Sequence, residues 1–115
     1  MIDTLTFAPD PRAPLRTLGG LHGFAATPLR TLAQPKGPAV LVKDERDRMG
    51  LGAFKAVGGI HAVAVLLAEI RRDDPGAIPT FVCASAGNHG FAVATGARLF
   101  GAKARIHLSL SLIHI

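Results

Sequence analysis

Lys55 stands directly after a glycine-rich turn, at the start of a strongly apolar segment. A lysine in the first turn of an apolar helix is costly to bury and lies unfavourably against the positive end of the helix dipole. Both effects favour the neutral, nucleophilic amine that Schiff-base chemistry needs. The alternative is a surface lysine whose stem packs on apolar neighbours while its amine stays in water.

A second glycine-containing turn, Ser-Ala-Gly-Asn-His-Gly at residues 85–90, leads into another apolar segment. Its glycines leave room for a ligand near a helix N-terminus, where backbone N–H groups bind anions and the side chain of Asn88 can donate to an oxygen. The alternative is an ordinary helix cap formed by Ser85 or Asn88. His89 has no carboxylate close by in the sequence to orient it, so we interpret it as a packing or hydrogen-bonding residue.

Several common site patterns are missing from the sequence. Residues 50–55 begin like a dinucleotide-binding fingerprint, but Lys55 occupies the position of the third glycine, and no phosphate-binding G-x-x-x-x-G-K motif occurs. The histidines show no metal-ligand spacing, so we expect no metal site. Cys83 is the only cysteine and lies in an apolar run, which predicts an inert buried thiol.

Length and composition favour one small globular domain. The chain has 115 residues and a net charge of +5, but its basic residues are scattered and it has neither Trp nor Tyr. This pattern argues against nucleic-acid binding. No apolar run reaches the ~20 residues of a membrane span, and the N-terminus shows no secretory signal pattern. We therefore expect no membrane partner and a cytoplasmic protein.

The order of predicted elements indicates an α/β fold. Strands are predicted at residues 39–42, 80–84 and 104–108, a helix at 54–72, and a second helix that ends near Phe100 with Gly101 at its C′ position. Alternating strands and helices predict a parallel three-layer sheet with crossover helices. Ligands bind such sheets at the carboxyl ends of the strands, where both glycine-containing turns begin.

The segment K-D-E-R-D-R-M-G-L-G-A-F-K-A-V-G-G at residues 43–59 resembles the cofactor-lysine segment of fold-type II pyridoxal-phosphate (PLP) enzymes. It is most similar to the version in diaminopropionate ammonia-lyases. The A-T-P-L segment at residues 26–29 and the loop at 85–90 resemble two further motifs of these enzymes, in the same order along the chain. The chain is thereby identified as the N-terminal portion of such an enzyme, with an irregular lead-in at 1–25, a partial PLP-binding α/β domain at 26–108, and a non-native or truncated tail at 109–115.

The resemblance implies specific roles for the residues in these motifs. Lys55 would form the Schiff base with PLP and later transfer a proton at the substrate α-carbon. Asn88 would hydrogen-bond the phenolic oxygen of the cofactor. The implied reaction is α,β-elimination on a small amino acid such as 2,3-diaminopropionate, with loss of ammonia, in a homodimer. The implied substrate-binding residues, which would hold the substrate carboxylate, are Ser85, Ala86, Gly87 and His89.

One position departs from the ammonia-lyase pattern. Diaminopropionate ammonia-lyases commonly carry an aspartate, a second acid/base, where this chain has Ala86. The loop is in this respect more similar to that of serine/threonine dehydratases. The sequence therefore leaves three functions open: a diaminopropionate ammonia-lyase, a serine/threonine dehydratase-like PLP lyase, and a truncated fragment without catalytic activity.

Overall fold

The computed structural model of the chain describes residues 10–109, and residues 1–9 and 110–115 lie outside the description. Most of the predicted tail at 109–115, and the first part of the lead-in at 1–25, therefore fall outside it. The described chain contains three helices, four strands and a short 3-10 helix at Arg48–Gly50. In chain order the main elements are α1 (Ala13–Leu18), β1 (Leu29–Leu32), β2 (Val40–Lys43), α2 (Lys55–Asp73), β3 (Thr80–Ala84), α3 (Asn88–Leu99) and β4 (Lys103–His107).

Strands β3 and β4 form a parallel pair, joined by α3 as the crossover helix. Thr80 is in register with Lys103 and Ala84 with His107. This strand–helix–strand unit confirms the α/β character of the fold, and both strands and both long helices lie within one residue or so of their predicted bounds.

Strand β2 does not join the parallel pair. It pairs with β1 in an antiparallel hairpin, with Leu29 opposite Lys43 and Leu32 opposite Val40. All eight strand residues of the hairpin are exposed, although the apolar run at 39–42 is typical of a buried strand. The sequence predicted no strand at 29–32. The prediction that residues 39–42 belong to the parallel sheet is therefore wrong for the residues that the structure describes. Apolar composition indicated a strand correctly, but the partner and the burial of a strand depend on tertiary contacts.

Helices α2 and α3 pack against each other through small residues. A Cβ atom on Gly59 would lie 2.5 Å from the Cβ of Ala92, and one on Gly96 would lie 3.1 Å from the Cα of Ile60. Such contacts let two backbones approach closely. The buried core beside them contains Val63, Val93 and Ala97, and partly buried side chains from β3, β4 and the end of α3 pack on it: Phe81, Cys83, Phe100, Ala102 and Ile106.

The end of α3 is fixed by a glycine turn and by one arginine. Gly101 has φ +71°, the left-handed conformation predicted for the C′ position, and the N–H groups of Gly101 and Ala102 return to carbonyls of the last helical turn. Arg71, near the end of α2, donates to the carbonyls of Ala77, Phe100 and Gly101. These bonds tie the C-terminal ends of the two long helices together.

The apolar circumference of α2 is only half covered. Ile60, Val63 and Leu67 are buried, whereas Leu66 and Ile70 on the other side are exposed. A helix apolar on nearly all sides is typical of one with neighbours on more than one side. Among the described residues α2 packs mainly on α3 and, less extensively, on α1. The lead-in also differs from its prediction as an irregular segment, since it contains the short helix α1, which has a proline in its first turn.

Candidate functional site

An open cleft of about 660 Å³ lies between the β1–β2 hairpin and the starts of α2 and α3. Lys55 and Asn88 both line it, although they are 33 positions apart in the sequence. Its volume falls within the range of small-molecule sites, about 300–1,000 Å³. The other lining residues come from the hairpin, the charged segment after β2 and the turn before α2: Arg30, Leu32, Val42, Lys43, Asp44, Glu45, Arg46, Gly52, Ala53 and Phe54.

Lys55 occupies the first helical position of α2, directly after the glycine-rich turn. Gly50 and Gly52 have φ values of +70° and +72°, which L-residues with a Cβ rarely adopt, and Met49, directly before Gly50, has φ +51°. The tight left-handed turn therefore sets where α2 starts and brings Lys55 to the cleft. The side chain of Lys55 is exposed, so the burial expected from the apolar helix is not present in the described chain.

In the loop before α3, the Ser85 side chain binds backbone N–H groups. Its Oγ accepts hydrogen bonds from the N–H groups of Gly87, at 3.4 Å, and Gly90, at 3.2 Å. A Cβ on Gly90 would lie 2.9 Å from the Ser85 carbonyl oxygen and from the side chain of Ile106, so this position has room only for glycine. The N-cap residue of α3 is Gly87, so neither Ser85 nor Asn88 occupies the N-cap position that the sequence offered as one alternative. The space at Gly90 is taken up by Ser85 and Ile106 and not by room for a ligand.

The predicted substrate-binding residues share this loop but do not line the cleft. Ala86, Gly87 and His89 are exposed and Ser85 is partly buried; of the whole loop, only Asn88 is among the cleft residues. Asn88 and His89 are the first two residues of α3, so their N–H groups have no acceptor within the helix. Two backbone donors therefore remain available to an anion beside the cleft.

Asp44 is the buried charge of the site, with only 8% of its surface exposed. Its Oδ2 accepts from Arg30 Nε at 2.6 Å and from Arg46 Nη2 at 2.7 Å, while its Oδ1 accepts from Arg46 Nε at 2.9 Å and from the Arg46 backbone N–H. The hydrogen bonds from Arg46 and then Arg30 hold the pKa of Asp44 far below its usual range. Asp44 is therefore a fixed negative charge that holds two arginines.

Glu45 forms a second ion pair, on the side of the loop that faces the T-P-L segment. Its carboxylate accepts from Arg48 at 2.6 Å and from the Thr27 hydroxyl, and Arg48 also donates to the carbonyl of Ala25. The hydrogen bond from Arg48, with that from Thr27, lowers the pKa of Glu45 to about 2. This network joins residues 25–27 to the segment before α2, and so holds two of the sequence motifs together.

Sequence reasoning singled out Lys55 and Asn88 but missed Arg30, Asp44 and Arg46 as cleft residues. The run of charged residues after β2 was visible in the sequence. Because it lies at the carboxyl end of a strand, it could have been used to predict that Asp44 and Arg46 belong to the site. Arg30 gave no such signal, because its contact with Asp44 spans 14 positions and depends on the antiparallel hairpin.

The residues present suit PLP in part. A lysine amine and an amide donor at one cleft of this size fit a cofactor that carries a carbonyl carbon and a ring oxygen. Within residues 10–109, no group of His, Cys, Asp and Glu side chains is arranged to hold a metal ion. None of the helices described is long and apolar enough to cross a membrane.

Comparison with known proteins identifies the class. Residues 21–111 match the family model described as pyridoxal-phosphate dependent enzyme, and the chain belongs to this family. PLP is accordingly the cofactor of the family, as the sequence predicted. The matched range contains all the residues that line the cleft, from Arg30 to Asn88.

Similar curated proteins carry a more specific name. The chain is 36% identical over 104 residues to a diaminopropionate ammonia-lyase of Escherichia coli K12, and 35% identical over 108 residues to one of Salmonella typhimurium. Each comparison covers 76% of this chain, but 26% and 27% of the respective relative. The chain thus spans about a quarter of the length of the curated relatives it matches.

Proposed function

We propose that this chain is the N-terminal portion of a PLP-dependent ammonia-lyase that acts by α,β-elimination on a small amino acid such as 2,3-diaminopropionate. The observation that carries the proposal is the shared cleft of Lys55 and Asn88, which unites a nucleophile and a polar donor from two separate motifs. The names of the similar curated proteins support the choice of substrate.

Lys55 would hold the cofactor covalently through Nζ, and Asn88 would donate its amide N–H to the ring oxygen. When bound, PLP supplies an electron sink for negative charge at the substrate α-carbon. Lys55 would also be the base that removes the α-proton of the substrate when its amine is free. Its place at the first helical position of α2, at the rim of the cleft, favours this role.

The loop before α3 would hold the substrate carboxylate. The N–H groups of Asn88 and His89 lie at the positive end of the α3 dipole, which favours an anion. The Ser85 Oγ already accepts two backbone N–H groups, so its own proton remains available to donate to a carboxylate oxygen. Ala86 and Gly87 add no side chain that would block this approach.

Ala86 supports a second candidate, a serine/threonine dehydratase-like lyase. A methyl group at this exposed position cannot exchange a proton with the substrate, so Lys55 would act without the second acid/base that the ammonia-lyase pattern has there. A single base acts on one face of the substrate, and action on a D-isomer is therefore not expected. A fragment without catalytic activity is the third candidate.

The test is ammonia release by the full-length protein from L- and D-2,3-diaminopropionate, L-serine and L-threonine. We expect the L-isomer of diaminopropionate to be the best substrate and the D-isomer to be poor. Ala86→Asp serves as the informative variant, because a restored carboxylate should raise the rate with the D-isomer. Faster release from serine or threonine would select the dehydratase, and no release from any substrate would select the non-catalytic protein.

The remaining features of the whole protein are part of the same proposal. We assign a homodimer in the cytoplasm, with residues 1–25 as a lead-in and 26–108 as the first part of the PLP-binding domain. Size-exclusion chromatography with light scattering on the full-length protein tests the dimer.

A further inference from the structure

Arg48 donates hydrogen bonds through all three nitrogen atoms of its guanidinium group. Its Nε and Nη2 bind the two carboxylate oxygens of Glu45 at 2.6 and 2.8 Å, and Nη2 also donates to the Thr27 hydroxyl at 2.9 Å. Its Nη1 donates to the carbonyl oxygen of Ala25 at 2.6 Å. Only 13% of the Arg48 side chain and 19% of the Glu45 side chain are exposed. Paired, charge-assisted hydrogen bonds at a mostly buried position leave this guanidinium group little freedom to move.

The backbone of Arg48 begins the turn that leads to Lys55. Arg48 is the first residue of the 3-10 helix; its N–H donates to the carbonyl of Glu45 at 3.1 Å, and its own carbonyl accepts from the N–H of Leu51 at 2.9 Å. Met49, the next residue, has φ +51°, a conformation that a residue with a side chain keeps only where its surroundings hold it. The Arg48 side chain therefore anchors one end of a turn whose other end carries Lys55.

The Thr27 hydroxyl connects the two charged members of this network. It donates to the Glu45 carboxylate and accepts from Arg48, so one side chain uses its donor and an acceptor position together. The backbone adds to the connection, since the N–H of Asp44 donates to the carbonyl of Pro28 at 2.9 Å. A change at Thr27 should therefore reach the turn before α2 through Arg48.

We propose that Arg48 is a positioning residue for Lys55: its hydrogen bonds hold the turn before α2 in the conformation that keeps the Lys55 amine at the cleft. Arg48 does not itself line that cleft, so it acts through the backbone of the turn and not by contact with a ligand. The inference rests on the part of the proposed function that assigns PLP to Lys55, and it is independent of which amino acid is the substrate.

The experiment compares Arg48→Lys with Arg71→Lys in the full-length protein. Arg71 is the matched control, because its guanidinium group also donates to backbone carbonyls, three of them, but at the far end of α2. The rate at which PLP attaches to the cofactor-free protein is followed by visible absorbance. Arg48→Lys should slow attachment about 10- to 100-fold, the scale of misplacing a reacting group by ~1 Å, and Arg71→Lys should leave the rate unchanged. No slowing in Arg48→Lys, or equal slowing in both variants, would overturn the proposal.

Two variants of Thr27 test the same network with a smaller change to the fold. Thr27→Val keeps the shape of the side chain but removes the hydroxyl, and it should slow PLP attachment about fivefold, the scale of one net hydrogen bond. Thr27→Ser keeps the hydroxyl and should retain the wild-type rate. If Thr27→Val takes up PLP as fast as Thr27→Ser, the network does not act on Lys55.

The wild-type protein separates this proposal from the proposed reaction. A wild type that attaches PLP to Lys55 but releases no ammonia would refute the reaction, and the attachment rates of the variants would still decide the role of Arg48. A wild type in which PLP is not attached to Lys55 would overturn the positioning role of Arg48 together with the cofactor role of Lys55.

Discussion

Gly59 of α2 and Ala92 of α3 meet where a side chain on Gly59 has no space, since a Cβ there would lie 2.5 Å from the Cβ of Ala92. Helices α2 and α3 begin at the cleft, with Lys55 and Asn88 as their first residues. They are packed so closely that the backbone of Gly59 lies against the side chain of Ala92. The spacing of α2 and α3 therefore helps to determine how the two candidate site residues are placed.

Gly59→Ala should destabilise the full-length protein by about 1–3 kcal/mol, because it overfills a close contact. Gly58→Ala is the control on the same helix, since a Cβ there meets nothing within 4 Å and alanine has the better helix propensity. The measurement is urea unfolding of both variants. If Gly59→Ala proves as stable as Gly58→Ala, the close packing of α2 on α3 is incorrect.

Asn88→Ala should leave the cofactor attached but shift its absorbance and lower turnover by about 10- to 1,000-fold, the scale of losing a polarising hydrogen bond. Visible absorbance and steady-state kinetics of the full-length protein test this. Thr95→Ala, on the same helix but outside the Lys55 cleft, is the control and should change neither quantity. An unaltered spectrum and rate for Asn88→Ala would remove Asn88 from the site.

The ion pair of Glu45 with Arg48 predicts a pH-dependent contribution to stability. The pKa of the Glu45 carboxyl is lowered from 4.5 to about 2 in the folded state, so folding favours the charged form of Glu45. The stabilisation is therefore complete above pH 4.5 and is lost as the pH falls from 4.5 towards 2.

The measurement is the difference in urea-unfolding free energy between the wild type and Glu45→Gln, taken at neutral pH and near pH 3. We expect the difference to shrink at the lower pH. A difference for Glu45→Gln that does not change with pH would contradict the ion pair.

The 115 residues by themselves should neither stay in solution nor release ammonia. The β1–β2 hairpin exposes Leu29, Leu41 and Val42 on two uncovered faces, and α2 exposes Leu66 and Ile70. Exposed apolar surface and unpaired strand edges favour association. Size-exclusion chromatography, cofactor absorbance and an ammonia assay on the purified chain test this expectation. A monodisperse chain with stoichiometric PLP and measurable turnover would contradict it.

The features that were predictable from the sequence are local ones. The bounds of α2, the turn into α3 and the left-handed Gly101 after α3 follow from apolar runs and from glycines at positions that need them. Lys55 and Asn88 were recognised because each lies in a short contiguous motif.

The features that were missed depend on contacts distant in sequence. Strand β1 contains Arg30 and Thr31 between two leucines and follows a proline, so nothing local indicated its pairing with β2. The exposure of Lys55 could not be deduced either, because burial depends on which elements cover the cleft. The link between Arg30 and Asp44 exists only once the hairpin has formed.

We propose that Lys55 is the residue that holds PLP. Borohydride reduction of the full-length protein with its cofactor bound, followed by peptide mapping of the pyridoxyl group, tests this directly. We expect stoichiometric label on Lys55 and no label in Lys55→Ala. Label on Lys43, the other lysine of the cleft, or no label at any lysine, would contradict it.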